Sequence, residues 1–256
     1  MIFMKYVFCF LIFCCLGGLG CWGQELRTGT YPDGSVRYKG YFSDGRPVGK
    51  MVRYYPDGKV QAEMEYRGDT VEAILYSRDG KYMSTGKYVN KLKTGVWKFL
   101  KGDDLLAEEN YRNNVLDGES LSYFQSGEMA GCKTWRNGKP DGGWKLYYEN
   151  GQLRLQACYH SGKIDGEVRS YDQKGVLRVQ GKYRNDRKEG KWEFYDEKGE
   201  LLKVKIYHNG VAEDAAEEET EESRKLDEMM ISGKEIPDPA VFADDPEAYM
   251  RLTGMK

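Results

Sequence analysis

Glycines recur along this chain at a nearly fixed interval. Gly34, Gly58, Gly80, Gly102, Gly127, Gly151, Gly175 and Gly199 mark about eight units of 22–25 residues, the last four being 24 apart. Eight residues past most of them stands an aromatic, namely Tyr66, Tyr88, Trp135, Tyr159, Tyr183 or Tyr207, while Tyr41 and Tyr111 are one residue out of step. A second series, Gly49, Gly95, Gly118, Gly142, Gly166 and Gly190, opens the units. A period of this length marks an array of small supersecondary units, each packed only on its neighbours.

Within a unit the period is two. Leu153, Leu155, Ala157 and Tyr159 alternate with Arg154, Gln156 and Cys158, and Leu177, Val179, Gly181 and Tyr183 repeat the pattern. That is the signature of a strand with one apolar and one polar face. Between the runs lie turn formers: Pro32-Asp33-Gly34, Pro56-Asp57-Gly58, Arg136-Asn137-Gly138 and Glu149-Asn150-Gly151. Asn-Gly and Asp-Gly suit two-residue hairpin turns, where both central residues need positive φ. The expected fold is all-β, an elongated antiparallel sheet of β-hairpin repeats. About 16 strands at ~4.8 Å each give a slab roughly 70 Å long. A lone hairpin is marginal in water, so stability is expected from an aromatic ladder of Tyr66, Tyr88, Trp97, Tyr111, Trp135, Trp144, Tyr159, Tyr183, Trp192 and Tyr207. Truncating Tyr159 to Ala is expected to cost about 3 kcal/mol.

The run Gly143-Trp144-Lys145-Leu146-Tyr147-Tyr148-Glu149-Asn150-Gly151, followed by Tyr159-His160-Ser161-Gly162-Lys163, resembles the MORN repeat variant family, as does Gly190-Lys191-Trp192-Glu193-Phe194-Tyr195. The resemblance spans roughly residues 28–210. It implies a repeat scaffold with membrane or lipid contact, and a bacterial branch is described as antitoxin-like.

Both ends differ from the repeats. Residues 1–23 hold Lys5, the apolar run Tyr6 to Leu16 and small residues at Gly17, Gly18 and Gly20. This is the layout of a secretory signal, and the run is short of the roughly 20 residues a membrane span needs. Cleavage after residue 20 leaves Cys21 available for lipidation, although Gly18 stands where a lipoprotein signal has Leu; cleavage after Gly23 leaves a soluble exported chain from Gln24. The repeat region occupies 24–210. Residues 211–256 carry 14 acids against 5 bases, while 24–210 carry 27 acids against 33 bases. Such a tail reads as solvated and flexible, or as a segment folded back on the basic sheet to cover its last strand, where Lys203 and Lys205 already discourage edge pairing. Asp245-Pro246-Glu247 starts a candidate short helix over residues 245–252.

Catalytic, metal and cofactor residues are not evident. His160 and His208 fall in the slot after the terminal Tyr, which other units fill with Arg67, Arg112, Arg136 or Arg184, and so belong to turns. Asp117, Asp141 and Asp165 precede opening glycines, where turns recruit Asp for backbone bonding. Cys132 and Cys158 have no metal-ligand spacing and sit on strands too far apart for a disulfide, so both are expected as free thiols on the face opposite the aromatics. Lys and Arg alternate with Asp and Glu, so no nucleic-acid stripe emerges. The leading expectation is a non-enzymatic, exported scaffold at the cell envelope, periplasmic, outer-membrane-associated or secreted. It would bind a protein or an anionic membrane or glycan surface, with a possible tether through Cys21. An antitoxin-like or immunity-like protein masking one toxin is the alternative, and a glycan-acting enzyme a further one.

Overall fold

The computed structural model describes residues 23–214 and 221–232. The signal segment with Cys21 and the stretch 245–252 lie outside these described residues. The first half of the chain forms strands Glu25–Thr30 (β1), Val36–Ser43 (β2), Arg46–Tyr54 (β3), Val60–Arg67 (β4), Thr70–Tyr76 (β5), Tyr82–Val89 (β6), Leu92–Lys101 (β7), Asp104–Arg112 (β8) and Val115–Tyr123 (β9). The second half continues with Met129–Arg136 (β10), Lys139–Tyr147 (β11), Leu153–His160 (β12), Lys163–Ile164 (β13), Gly166–Tyr171 (β14), Leu177–Arg184 (β15), Arg187–Tyr195 (β16), Leu201–His208 (β17) and Val211–Ala212 (β18). One helix, Glu221–Ser232 (α1), follows.

All 18 strands join one antiparallel sheet. Successive strands pair in order from β1–β2 through β17–β18, except that β13 and β14 do not pair with each other. Strands β13 and β14 are two parts of one rung, interrupted at Asp165, and both pair with β12. The expected meander is therefore the fold. Its two outer rungs are β1 and β17, the latter backed by β18 only at Tyr207 and His208.

The turns differ from the single type expected, and the difference sorts the two long edges of the slab. Along one edge the hairpins have two-residue turns with positive φ at non-glycine positions, such as Asn113 and Asn114 (52° and 68°) and Asn137 before Gly138 (49° and 76°). The expectation holds there. Along the other edge Asp33, Asp57 and Asn150 are not in the left-handed region; only the glycine after each is. Gly58 N–H donates to Tyr55 O at 2.9 Å and Tyr55 N–H to Lys59 O at 2.8 Å, a three-residue loop closed by a left-handed glycine. The Asp or Asn side chain turns back on the chain instead of taking positive φ. Asp57 Oδ1 accepts Lys59 N–H at 3.2 Å, Asn150 Oδ1 accepts Gln152 N–H at 3.1 Å and Asp196 Oδ1 accepts Lys198 N–H at 2.8 Å.

Contacts between successive turns fasten the units. Asp141, Asp165 and Glu189 accept the N–H of Ser161, Asn185 and Asn209, one unit on, at 3.3, 3.2 and 2.9 Å. These are the residues before the opening glycines, so their role is a staple between neighbouring turns. On the other edge Tyr31, Tyr55 and Tyr148 hydroxyls each donate to the carbonyl of Tyr54, Tyr76 and Tyr171 at 2.8–2.9 Å.

One face of the sheet holds the core. Trp144, Leu155, Ala157, Tyr159, Ile164, Val168, Val179, Tyr183, Trp192, Phe194 and Tyr207 form a continuous buried cluster with Leu226 and Met230 of α1. Trp97, Tyr111 and Trp135 are also buried, whereas Tyr66 and Tyr88 are only half-buried. Ring contacts centre on three tryptophans. Trp97 meets Tyr88 at 4.9 Å, Trp144 meets Tyr159 at 5.7 Å, and Trp192 meets Tyr183 and Tyr207 at 5.2 and 5.9 Å. Edge-on and tilted pairings of this kind are favourable beyond the area they bury. The Tyr159 hydroxyl is sealed from water with no hydrogen-bond partner. Removing the whole ring should cost about 3 kcal/mol. Tyr159→Phe removes only an unsatisfied polar atom, and should leave stability unchanged or raise it by about 1 kcal/mol. Urea denaturation of both variants checks the pair.

Candidate binding surface

The sheet register lays one row of side chains across the aromatic face. Trp97 lies opposite Glu109, Glu109 opposite Ser120, Ser120 opposite Lys133, Lys133 opposite Trp144 and Trp144 opposite Ala157. Further along, Val168 lies opposite Gly181 and Trp192 opposite Lys205. Tryptophan thus occupies every second opening strand, at 97, 144 and 192, with Ser120 and Val168 between. Two of these rings lean over a strand glycine. A Cβ on Gly86 would fall 2.3 Å from Trp97, and one on Gly181 would fall 2.2 Å from Trp192.

Each tryptophan carries an ammonium against its face, shared with the next tyrosine. Lys93 Nζ is 4.6 Å from the Trp97 ring centre and 4.9 Å from Tyr111. Lys133 Nζ is 4.8 Å from Trp144, 5.2 Å from Tyr159 and 5.7 Å from Trp135. Lys188 Nζ is 5.2 Å from Trp192 and 5.4 Å from Tyr207. Cation–π contacts gain strength when desolvated, and Lys133 and Lys188 are both buried. The lysines come from different strand positions, two residues before an opening glycine for Lys93 and Lys188 but two before a terminal aromatic for Lys133. No sequence period therefore announces them.

Burial pushes the Lys133 ammonium down from its ordinary range to about 8. The unfolded chain, with the ordinary higher value, then holds this proton more tightly than the folded one. Stability should be flat below pH 8 and rise as the pH climbs from there toward 10, by up to about 3 kcal/mol, the ring faces opposing part of that gain. Comparing urea unfolding of the wild type and Lys133→Met at pH 7.5 and 9.5 isolates the effect, which the variant should lack.

The third Lys–aromatic site is occupied by α1. Lys188 Nζ donates to Asp227 Oδ2 at 2.7 Å and to Ser223 Oγ at 2.8 Å, and the Tyr183 hydroxyl donates to Asp227 Oδ1 at 3.1 Å. Arg178 reaches Glu222 at 3.1 Å. Ser223, Leu226 and Met230, spaced to share one helix face, are buried against the sheet. Burial, then the Asp227 carboxylate, pushes the Tyr183 hydroxyl above its ordinary value. Within the helix Glu221 and Glu222 favour the N-terminal end of the dipole, and Lys225 pairs with Glu221 at 2.5 Å. A 12-residue helix is marginal by itself, so the docked face sustains it. Of the two expectations for the acidic tail, the fold-back is observed for 221–232.

Of the described tail, Val211–Ala212 pairs with the edge strand β17 only at Tyr207 and His208, and α1 packs on the aromatic face beside Tyr207. With Tyr207 on the aromatic face, the period of two puts Lys205 and Lys203 there too, Lys205 buried. Leu202 and Val204 consequently lie on the opposite face, 65% and 39% exposed. The apolar alternation is inverted in this last strand.

The other expected residues are mostly in turns or on the opposite face. His160 lies 3.5 Å from Asp141, and His208 lies 2.7 Å from Glu213, both at exposed turn positions. Cys132 and Cys158 are free thiols pointing away from the aromatics. On that face bases meet acids, as in Lys98–Glu108 at 2.9 Å and Arg169–Glu167 at 2.8 Å. Exposed pairs of this sort contribute little to stability. Among the described residues no group of three or more His, Cys, Asp or Glu side chains is placed to hold a metal ion, and no helix is long and apolar enough to cross a membrane.

Four segments of the chain, residues 47–67, 140–161, 164–185 and 188–209, match the MORN repeat variant family. No curated protein matches the chain. Each matched segment runs from an opening strand through the terminal aromatic of one hairpin. The unmatched hairpins β1/β2, β5/β6, β7/β8 and β9/β10 have the same form with local departures, such as the shortened turn at Gly102 and Ser120 in the row that bears tryptophan. The sheet described above is an array of MORN-variant repeats, and the chain is a member of that repeat family.

Proposed function

We propose that this chain is a non-enzymatic, exported repeat scaffold whose aromatic face binds acidic amphipathic helices of a protein partner. The observation that carries the reading is α1 itself. Its Asp227 meets Lys188 at 2.7 Å while Leu226 and Met230 enter the aromatic core, so this face is chemically suited to a helix with one acid among apolar residues. The mode is a groove-bound helix read through a few anchors. The opposite face, with its bases paired to acids, offers an anionic membrane or glycan surface less free positive charge.

A synthetic peptide of residues 219–234 provides the test. Titrated against a Leu226→Asp variant, in which burial of the new carboxylate should undock the chain's own helix, it should bind saturably in one-to-one ratio, and the same peptide with Asp227→Lys should not. Absence of binding by the native peptide would refute the reading. Export is tested by intact mass of the native protein from cell fractions. A lipidated chain beginning at Cys21, or a soluble one beginning near Gln24, supports it. An uncleaved Met1 in the cytoplasm would instead favour the antitoxin-like alternative.

A further inference from the structure

Midway along the aromatic face, at β8 to β11, the sheet leaves a pocket with roughly 60 Å³ of free space, lined among others by Glu109, Ser120, Lys133, Trp135, Trp144 and Leu146. Its origin is the repeat itself. Val168, the residue equivalent to Ser120 one unit pair on, is fully buried between its neighbours. Its opposing position on β15 is Gly181, over which the Trp192 ring closes. At Ser120 the opposing positions are instead Glu109 and Lys133, both buried. A short hydroxyl residue thus stands between two ionisable ones, on a strand row whose neighbours are Trp97 and Trp144.

Two donors at this pocket are left over. Ser120 Oγ and Trp135 Nε1 are each closed off from solvent and have no hydrogen-bond partner, and Trp135 itself is 8% exposed. Orphaned buried polar groups are uncommon in native folds and point to a missing partner. A hydroxyl and an indole N–H, beside an ammonium, ask for an acceptor with more than one oxygen. The apolar lining from Trp144 and Leu146 asks for a flat hydrocarbon body. Glu109, whose carboxylate accepts the Tyr111 hydroxyl at 2.7 Å, disfavours a second negative charge at the other end. A phosphate dianion fits this poorly, and a monoanion fits well.

We propose that this pocket binds a small monocarboxylate with a planar apolar body, its carboxylate held by Trp135 Nε1, Ser120 Oγ and Lys133 Nζ and its body lying against Trp144 and Leu146. The site is separate from the helix seat at Lys188 and does not depend on the helix-binding reading. The depth of Lys133, 3% exposed against 9% for Lys188 beneath its helix, favours a small molecule over a helix side chain.

The probe is 4-fluorobenzoate, followed by fluorine NMR on the full-length protein. Saturable binding at one site is expected. It should weaken about tenfold in Trp135→Phe, which keeps an aromatic ring but removes the indole N–H, and by at least as much in Lys133→Met. It should also weaken for the neutral probe 4-fluorobenzamide, and between pH 7 and 9.5 as Lys133 loses its proton. Trp135→Phe keeps the test valid should Lys133→Met perturb the fold. Asp227→Asn, at the other site, should leave the affinity unchanged. No saturation at millimolar probe, or equal affinity in wild type and Trp135→Phe, overturns the assignment. Displacement of the probe by the 219–234 peptide would give the site to a peptide carboxylate, and would overturn the small-molecule assignment as well.

Discussion

Gly181→Ala is expected to destabilise the last repeats by about 3 kcal/mol, the cost of forcing a methyl into a well-packed core. The added Cβ would lie 2.2–2.7 Å from three atoms of the Trp192 ring, and that ring is fully buried. It cannot swing outward without breaking its contacts with Tyr183, Tyr207 and Lys188. Gly86→Ala should behave alike at Trp97. Gly143→Ala is the control. It sits one residue before Trp144, has open space around the Cβ position and no positive φ, so its change should stay within about 0.5 kcal/mol. Urea denaturation of the three variants, followed by tryptophan fluorescence, gives the comparison, and equal loss at all three would remove the seat-and-ring account.

Leu226→Ala should release α1 from the sheet. Leu226 is fully buried in the core cluster, and truncating such a side chain typically costs 2–5 kcal/mol, here about 3. That exceeds what a short helix can supply alone. The loss should appear as a fall in helical circular dichroism with the β-sheet signal retained, since β1 to β16 do not depend on α1 for their pairing. Met229→Ala, at the margin of the cluster, should cost less than half as much. A variant that keeps its helical signal would show that α1 is held by the ion pairs at Lys188 and Arg178 instead.

The fold was legible because it is written many times. The spacing of Gly127, Gly151, Gly175 and Gly199 and the aromatic eight residues after each give strand, turn and strand in every unit, and an antiparallel meander is the direct consequence. The turn class was legible only in part. Asp-Gly and Asn-Gly serve both a two-residue turn and a three-residue loop, and what separates them is whether the side chain caps its own backbone, as Asp57 does for Lys59. The inverted face of β17 could have been read from Tyr207 by counting back in twos to Lys205 and Lys203.

The binding surface was less legible, since it depends on contacts that no period repeats. Lys93, Lys133 and Lys188 reach equivalent ring pairs from two different strand positions, and only the sheet register brings them into one series. In the tail, net acidity concealed Ser223, Leu226 and Met230, whose spacing of three and four marks a helix face; the two methionines in an otherwise charged run were the available signal. Ser120 was visible as the residue that interrupts the tryptophan row, but its orphaned hydroxyl emerges only when Glu109, Lys133 and Trp135 surround it.

Hydrogen exchange of the full chain beside one ending at Asp214 tests most directly whether the aromatic face is a docking surface. Loss of the segment after Asp214 should leave amide protection in β1 to β9 unchanged and lower it in β15, β16 and β17, the strands α1 covers. Equal protection in both chains across β15 to β17 would contradict a docked α1, and with it the evidence that this face binds helices.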